Sequence, residues 1–152
     1  MLPYKQLRGN KFSIFFLEDR HHCCFNMVMK KQVLVIEDDP VIGEMISIIL
    51  EMQGFHVISL ANTGWARQKL EEEEIDMVLL DLNLAGSDEN GQSFCAYIKS
   101  QDDLKHIPVI LVSANMDIEQ IKKECGADDL IRKPFDLDHF INTLNCYLNV
   151  AA

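Results

Sequence analysis

Carboxylates, a hydroxyl and an ammonium stand in this chain at the ends of short apolar runs. Glu37-Asp38-Asp39 follows Val33-Leu34-Val35-Ile36, and Asp81 follows Met77-Val78-Leu79-Leu80. Ser113 follows Val109-Ile110-Leu111-Val112, and Lys133-Pro134 lies just beyond Leu130-Ile131. If these run ends meet, three or more carboxylates share one edge. They would repel and raise one another's pKa unless a cation shares the site. Carboxylate oxygens are hard ligands suited to Mg²⁺, which keeps several waters and takes one or two carboxylates together with phosphate oxygens. The hydroxyl and the ammonium supply a donor and a cation for a phosphate. Such a set suits phosphoryl transfer, where catalysis is mostly positioning and charge neutralisation. One carboxylate can serve as nucleophile and become an aspartyl phosphate.

The elements that would bring these residues together repeat five times from residue 32 onward. Val33 to Ile36 is a continuous apolar run, as in a strand buried on both faces of a parallel sheet. Asp39-Pro40 is an N-cap with proline at the first helical position, and Val41, Ile42, Met45, Ile46 and Ile49 recur at helical spacing until Gly54. Phe55 to Leu60 is the second strand, and Asn62-Thr63 is expected to cap a helix over about residues 63–73 that packs Ala66 and Leu70 inward. Met77 to Leu80 is the third strand, and a polar loop from Gly86 to Gly91 leads to a helix around Phe94 and Ile98. Val109 to Val112 is the fourth strand, followed by a helix capped by Asp117 and ended by Gly126. After a short fifth strand at Leu130-Ile131, Leu137, Phe140, Ile141, Leu144 and Leu148 form one stripe of a last helix capped by Asp136. Five strand–helix units in series imply an α/β fold, a doubly wound parallel sheet with helices on both faces. Ligands of such sheets bind at the carboxyl ends of the strands.

The Glu37-Asp38 pair, Asp81 within Leu79-Leu80-Asp81-Leu82-Asn83-Leu84, Ser113 within Val112-Ser113-Ala114, and Lys133-Pro134-Phe135 occur in order. Over about residues 31–150 this pattern resembles the receiver domain of two-component response regulators, of the stand-alone, chemotaxis-regulator-like type. The resemblance implies a five-stranded (βα)5 flavodoxin-like fold with strand order 2-1-3-4-5. It implies Mg²⁺ held by Glu37, Asp38, Asp81 and the main-chain carbonyl of Asn83, with Asp38 a more direct ligand than Asp39. Asp81 would be the phosphoacceptor, Ser113 would bond a phosphoryl oxygen, and Lys133 would pair with the phosphate, positioned by a cis bond to Pro134. The implied partners are a sensor histidine kinase or phosphotransfer protein and a downstream protein target. The implied role is a regulatory switch that transfers and slowly loses its own phosphoryl group, not a metabolic enzyme.

Three departures from the family pattern stand out. Leu130 replaces an aromatic residue that swings inward on activation. Ala85 replaces a proline four residues after Asp81. Gly91 comes about two residues late, which implies a longer and more mobile loop. An aspartate-nucleophile phosphatase is the competing enzyme reading, but Asn83 stands where such enzymes place an acid/base aspartate. A degenerate receiver that binds partners without phosphorylation is the third reading, kept open by Leu130.

Composition narrows the rest. A chain of 152 residues, 48% apolar and 25% charged, fits one ordinary globular domain. Its net charge of −10 argues against nucleic acid or anionic membrane as partners of the body. Residues 1–31 run opposite, with Lys5, Arg8, Lys11, Arg20, Lys30 and Lys31 against only Glu18 and Asp19. Residues 1–28 are therefore expected to be an N-terminal extension, disordered or ahead of the true start, with the receiver over 29–150. Phe12 to Leu17 is too short for a secretory core or a membrane span. His21-His22-Cys23-Cys24 has metal-ligand types but no second cluster. The five cysteines form no Cys-x-x-Cys pair, so Cys95, Cys125 and Cys146 are expected to be buried thiols of a cytoplasmic protein.

Overall fold

The computed structural model describes residues 30–87 and 89–148. The expected extension over 1–28, with its aromatic run and its His-Cys cluster, lies outside the described residues. Strands β1 (Gln32–Ile36), β2 (His56–Leu60), β3 (Met77–Leu80), β4 (Val109–Ser113) and β5 (Asp129–Arg132) alternate with helices α1 (Pro40–Met52), α2 (Ala66–Glu72), α3 (Gly91–Ser100), α4 (Ile118–Cys125) and α5 (Leu137–Leu148). The strands form one parallel sheet in the order β2-β1-β3-β4-β5. This is the doubly wound flavodoxin-like fold that the motifs implied.

Alternation along the strands sorts the core into two layers. Leu34, Ile36, Val78, Leu80, Val109 and Leu111 pack on one face with Ala66 and Leu70 of α2, Phe94, Cys95 and Ile98 of α3, and Ile118 and Cys125 of α4. Val33, Val35, Met77, Leu79, Ile110, Val112 and Ile131 pack on the other with Ile46 and Leu50 of α1 and Phe140, Leu144 and Leu148 of α5. The three inner strands are buried along their whole length, which is why they read as unbroken apolar runs.

The local signals held unevenly. Asp39 caps α1 by accepting from the N–H groups of Val41 and Ile42, and Asp136 accepts from His139 at the start of α5. Gly54 follows the last turn of α1 in the left-handed conformation. The helix expected over 63–73 forms only from Ala66. Asn62 turns its side chain onto the N–H of Gly64 and Thr63 is buried, so neither caps it. Asp117 occupies the cap position of α4 without a side-chain bond; its own N–H instead donates to Asn115. Of the residues read at helical spacing, Val41 and Met45 of α1 and Leu137 of α5 face solvent, and Cys146 is exposed rather than buried.

Candidate functional site

Register sets the site. Ile36 pairs with Leu80, so the next residues, Glu37 and Asp81, emerge side by side at the carboxyl edge, and the Asp81 N–H donates to the Ile36 carbonyl. Ser113 pairs with Arg132, which brings Lys133 to the same edge, and the Lys133 N–H donates to the Ser113 carbonyl. The Lys133-Pro134 peptide is cis. One carboxylate oxygen each of Glu37, Asp38 and Asp81 lies within 4.8 Å of the others. Lys133 Nζ donates to Glu37 Oε2 at 2.5 Å and to Asp81 Oδ2 at 2.6 Å.

The remaining bonds orient these groups. Asp81 Oδ1 accepts from the N–H of Asn83 at 3.1 Å, and Asp38 Oδ2 accepts from the N–H of Ala85 at 3.0 Å. Ser113 is fully buried, and its hydroxyl accepts from the N–H of Asn115. Asn83 is exposed, and so is Asp39, whose carboxylate is engaged at the helix start. The structure therefore brings Glu37, Asp38, Asp81 and Lys133 into one cluster, with Ser113 at the neighbouring strand end.

Burial makes the charge balance of this cluster costly. Glu37 and Asp81 are both under a tenth exposed. Burial pushes the Glu37 carboxyl above its ordinary value; the bond and charge of Lys133 oppose this, and the charge of Asp81 adds to it. Burial would lower the Lys133 ammonium, but its bonds and attraction to Asp81 and Glu37 outweigh that and raise its pKa. Three carboxylates against one ammonium leave two negative charges when all are ionised. A divalent cation with oxygen preference fits that excess and that donor set.

Sequence reasoning missed what supports the cluster from behind. Gly91 opens α3 directly against the end of β3, where an added Cβ would stand 2.1 Å from the Asp81 carbonyl oxygen. The loop between them is tied to its neighbours. Ser87 accepts from the N–H of Thr63, and Glu89 pairs with Arg67 at 2.6 Å. The Arg67 guanidinium lies 3.6 Å from the centre of the Tyr97 ring. A glycine at the strand-to-helix turn was the available signal; the pairings across elements had none.

A family model described as the response regulator receiver domain matches residues 33–145. Among curated proteins, the chain is 37% identical over 123 residues to the transcriptional regulatory protein GltR of Pseudomonas aeruginosa, covering 80% of this chain and 50% of that protein. It is 35% identical over 109 residues to the phosphate regulon transcriptional regulatory protein PhoB of Escherichia coli, covering 70% and 47%. The chain thus spans about half the length of these relatives. Among solved structures, the receiver domain of a signal transduction histidine kinase from Syntrophus aciditrophicus is 29% identical with a TM-score of 0.72, covering 78% of this chain and 90% of that one. The receiver domain of a sensor histidine kinase from Pseudomonas aeruginosa PAO1, solved with a magnesium ion coordinated in its active site cleft, is 26% identical with a TM-score of 0.71, covering 80% and 99%.

Proposed function

The chain belongs to the response regulator receiver family, and on that premise we propose that it is a phosphorylation-controlled switch with Asp81 as its phosphoacceptor. The observation that carries this reading is the meeting of three carboxylates and Lys133 at one strand edge. Glu37, Asp38, Asp81 and the main-chain carbonyl of Asn83 would hold Mg²⁺. The ion would neutralise charge on the phosphoryl oxygens.

The protein's own residues do the rest. An Asp81 carboxylate oxygen attacks the phosphorus of a phosphohistidine on a sensor kinase or phosphotransfer protein. The new O–P bond forms as the P–N bond breaks, and the departing imidazole keeps the nitrogen electron pair. Lys133, already bonded to Asp81, holds positive charge beside the nucleophile and then beside the phosphoryl group. Ser113 would donate its hydroxyl proton to a phosphoryl oxygen while its lone pairs still accept from the N–H of Asn115. Later attack by water on the phosphorus breaks the Asp81 O–P bond, returns the aspartate and releases inorganic phosphate, a slow self-dephosphorylation rather than turnover of a substrate.

The phosphorylated form would bind a downstream protein, in the cytoplasm. GltR and PhoB are transcriptional regulators by name, and the matched stretch is about half of each. Contact with DNA is no part of the proposal for this acidic chain. No helix among the described residues is long and apolar enough to cross a membrane. The functional unit we propose is 29–150.

Acetyl phosphate with Mg²⁺ should add one phosphoryl group, read by intact mass, to the full chain and to a chain starting at Met29. Asp81→Asn should take none. Full labelling of that variant, or none of the parent, would sink the assignment.

A further inference from the structure

The loop between β3 and α3 bonds to the carboxylate cluster on one side and to the start of α2 on the other. Toward the cluster, the N–H of Asn83 donates to Asp81 Oδ1 and the N–H of Ala85 to Asp38 Oδ2. Toward α2, Ser87 Oγ accepts from the N–H of Thr63, and Glu89 Oε1 accepts from Arg67 Nη2 at 2.6 Å. Arg67 is the second residue of α2, a helix of seven residues whose N-cap residue, Trp65, makes no side-chain bond. Its guanidinium lies 3.6 Å from the centre of the Tyr97 ring and 5.6 Å from that of Phe94, two rings of α3 that stack on each other. We infer that Arg67 is a positioning residue: seated on Tyr97 and bonded to Glu89, it holds the β3–α3 loop in the shape that binds Mg²⁺, and so couples α2 to the metal site.

A lone ion pair between long side chains at the surface is worth little, because ordering both chains offsets most of the attraction. Arg67 differs in that the Tyr97 ring fixes the plane of its guanidinium, so the donor edge is already aimed when Glu89 meets it. Glu89 stands two residues before Gly91, which packs directly on the Asp81 carbonyl. The other end of the loop is fixed by β3. Between these points the chain must bring the Ala85 N–H to Asp38 and, on the proposed function, the Asn83 carbonyl to the ion. A loop already tied at Ser87 and Glu89 has fewer conformations to give up when Mg²⁺ binds, and that preorganisation raises affinity. The helix also depends on the tie, since a helix of this length is unstable by itself. Coupling is reciprocal: what Arg67 adds to Mg²⁺ affinity, Mg²⁺ returns as order in α2.

The inference rests on the carboxylate cluster being a Mg²⁺ site, and the test separates the two. Arg67→Met keeps an apolar stem against Tyr97 and removes the charge, while Glu89→Ala removes the acceptor. In the full chain each should weaken Mg²⁺ binding about fivefold, the size that an exposed ion pair and a cation–π contact can supply together. The double variant should bind no more weakly than the worse single one. Labelling by acetyl phosphate should slow at limiting Mg²⁺ and regain the parent's rate at saturating Mg²⁺. Hydrogen exchange across Ala66–Glu72 should slow when Mg²⁺ binds the parent and hardly change when it binds Arg67→Met, a difference that a contribution to stability alone would not produce. A parent that binds no Mg²⁺ would overturn both readings. A parent that binds it would overturn this inference alone if the variants match its affinity, the losses add in the double variant, labelling stays slow at saturating Mg²⁺, or α2 exchange responds to Mg²⁺ without Arg67.

Discussion

Two glycine-to-alanine changes should move stability in opposite directions, and the structure supplies the reason for each sign. At Gly91 an ideal Cβ would stand 2.1 Å from the Asp81 carbonyl oxygen and 2.9 Å from Leu82 Cα, both backbone atoms. No side-chain rotation relieves that, so the start of α3 must move off β3 by about 1 Å, an overpacking that typically costs about 1–3 kcal/mol. Alanine returns about 0.5–1 kcal/mol within a helix, and less at its first residue. The clash wins, and Gly91→Ala should lose about 1–2 kcal/mol. At Gly43, inside α1, the nearest atoms to a Cβ are Glu37 Cβ and Cγ at 3.7 Å, an ordinary contact. There helix propensity acts alone, and Gly43→Ala should gain about 0.5–1 kcal/mol. Urea unfolding followed by circular dichroism, with unchanged slopes, reads both. Because the Gly91 clash is with the Asp81 backbone, Mg²⁺ affinity should also fall in that variant. A Gly91→Ala protein as stable as its parent, or a Gly43→Ala protein as weakened as Gly91→Ala, would refute the reasoning.

Other consequences are as direct. Asp38→Ala should weaken Mg²⁺ binding at least tenfold, while Asp39→Ala should chiefly lose an N-cap, about 1 kcal/mol of stability; equal losses of affinity in a fluorescence titration would contradict the division. Burial raises the Glu37 pKa above its ordinary value, against the opposing bond and charge of Lys133. Mg²⁺ binding favours the ionised carboxylate, so affinity should fall by about tenfold per pH unit once the pH drops below that raised value, and an affinity that does not fall on acidification would count against Glu37 as a ligand. With the switch aromatic replaced by Leu130, a beryllofluoride phosphate mimic should shift amide resonances most across Ser113 to Cys125, and changes confined to the loop after Asp81 would oppose that route.

The strand ends were legible because burial on both faces leaves a parallel strand no polar residue until it reaches the sheet's edge. Glu37, Asp81 and Ser113 each announce that edge by ending an apolar run. What spacing could not say is which residues meet. Lys133 and Glu37 are bonded across 96 positions, and only the sheet register makes them neighbours. Helix faces were read less well for the same reason. Val41, Met45 and Leu137 satisfy a helical period, yet α1 and α5 each cover the sheet with a narrower stripe, and these residues fall outside it. The start of α2 was misplaced because capping residue types also make turns: Asn62 spends its side chain on Gly64. Gly91 was visible as a late glycine but not as the residue that lets α3 touch Asp81.

If Asp81 is phosphorylated as proposed, the charge pattern lets one lysine serve before and after the transfer. Lys133 divides its ammonium between Glu37 and Asp81, so it offsets one of the cluster's three negative charges, two of them buried. On the proposed chemistry, conversion of Asp81 to an acyl phosphate removes its carboxylate charge and places close to two negative charges on phosphoryl oxygens farther out. Lys133 then loses its charged partner at Asp81 Oδ2 but keeps Glu37, which is buried and cannot follow. An ammonium on a flexible stem can swing between those positions, whereas a guanidinium fork would need both acceptors in one plane. On that chemistry Glu37 would be the fixed anchor and Asp81 the exchangeable one. The acid that looks redundant in a three-carboxylate cluster would hold the lysine at the site while the other partner changes.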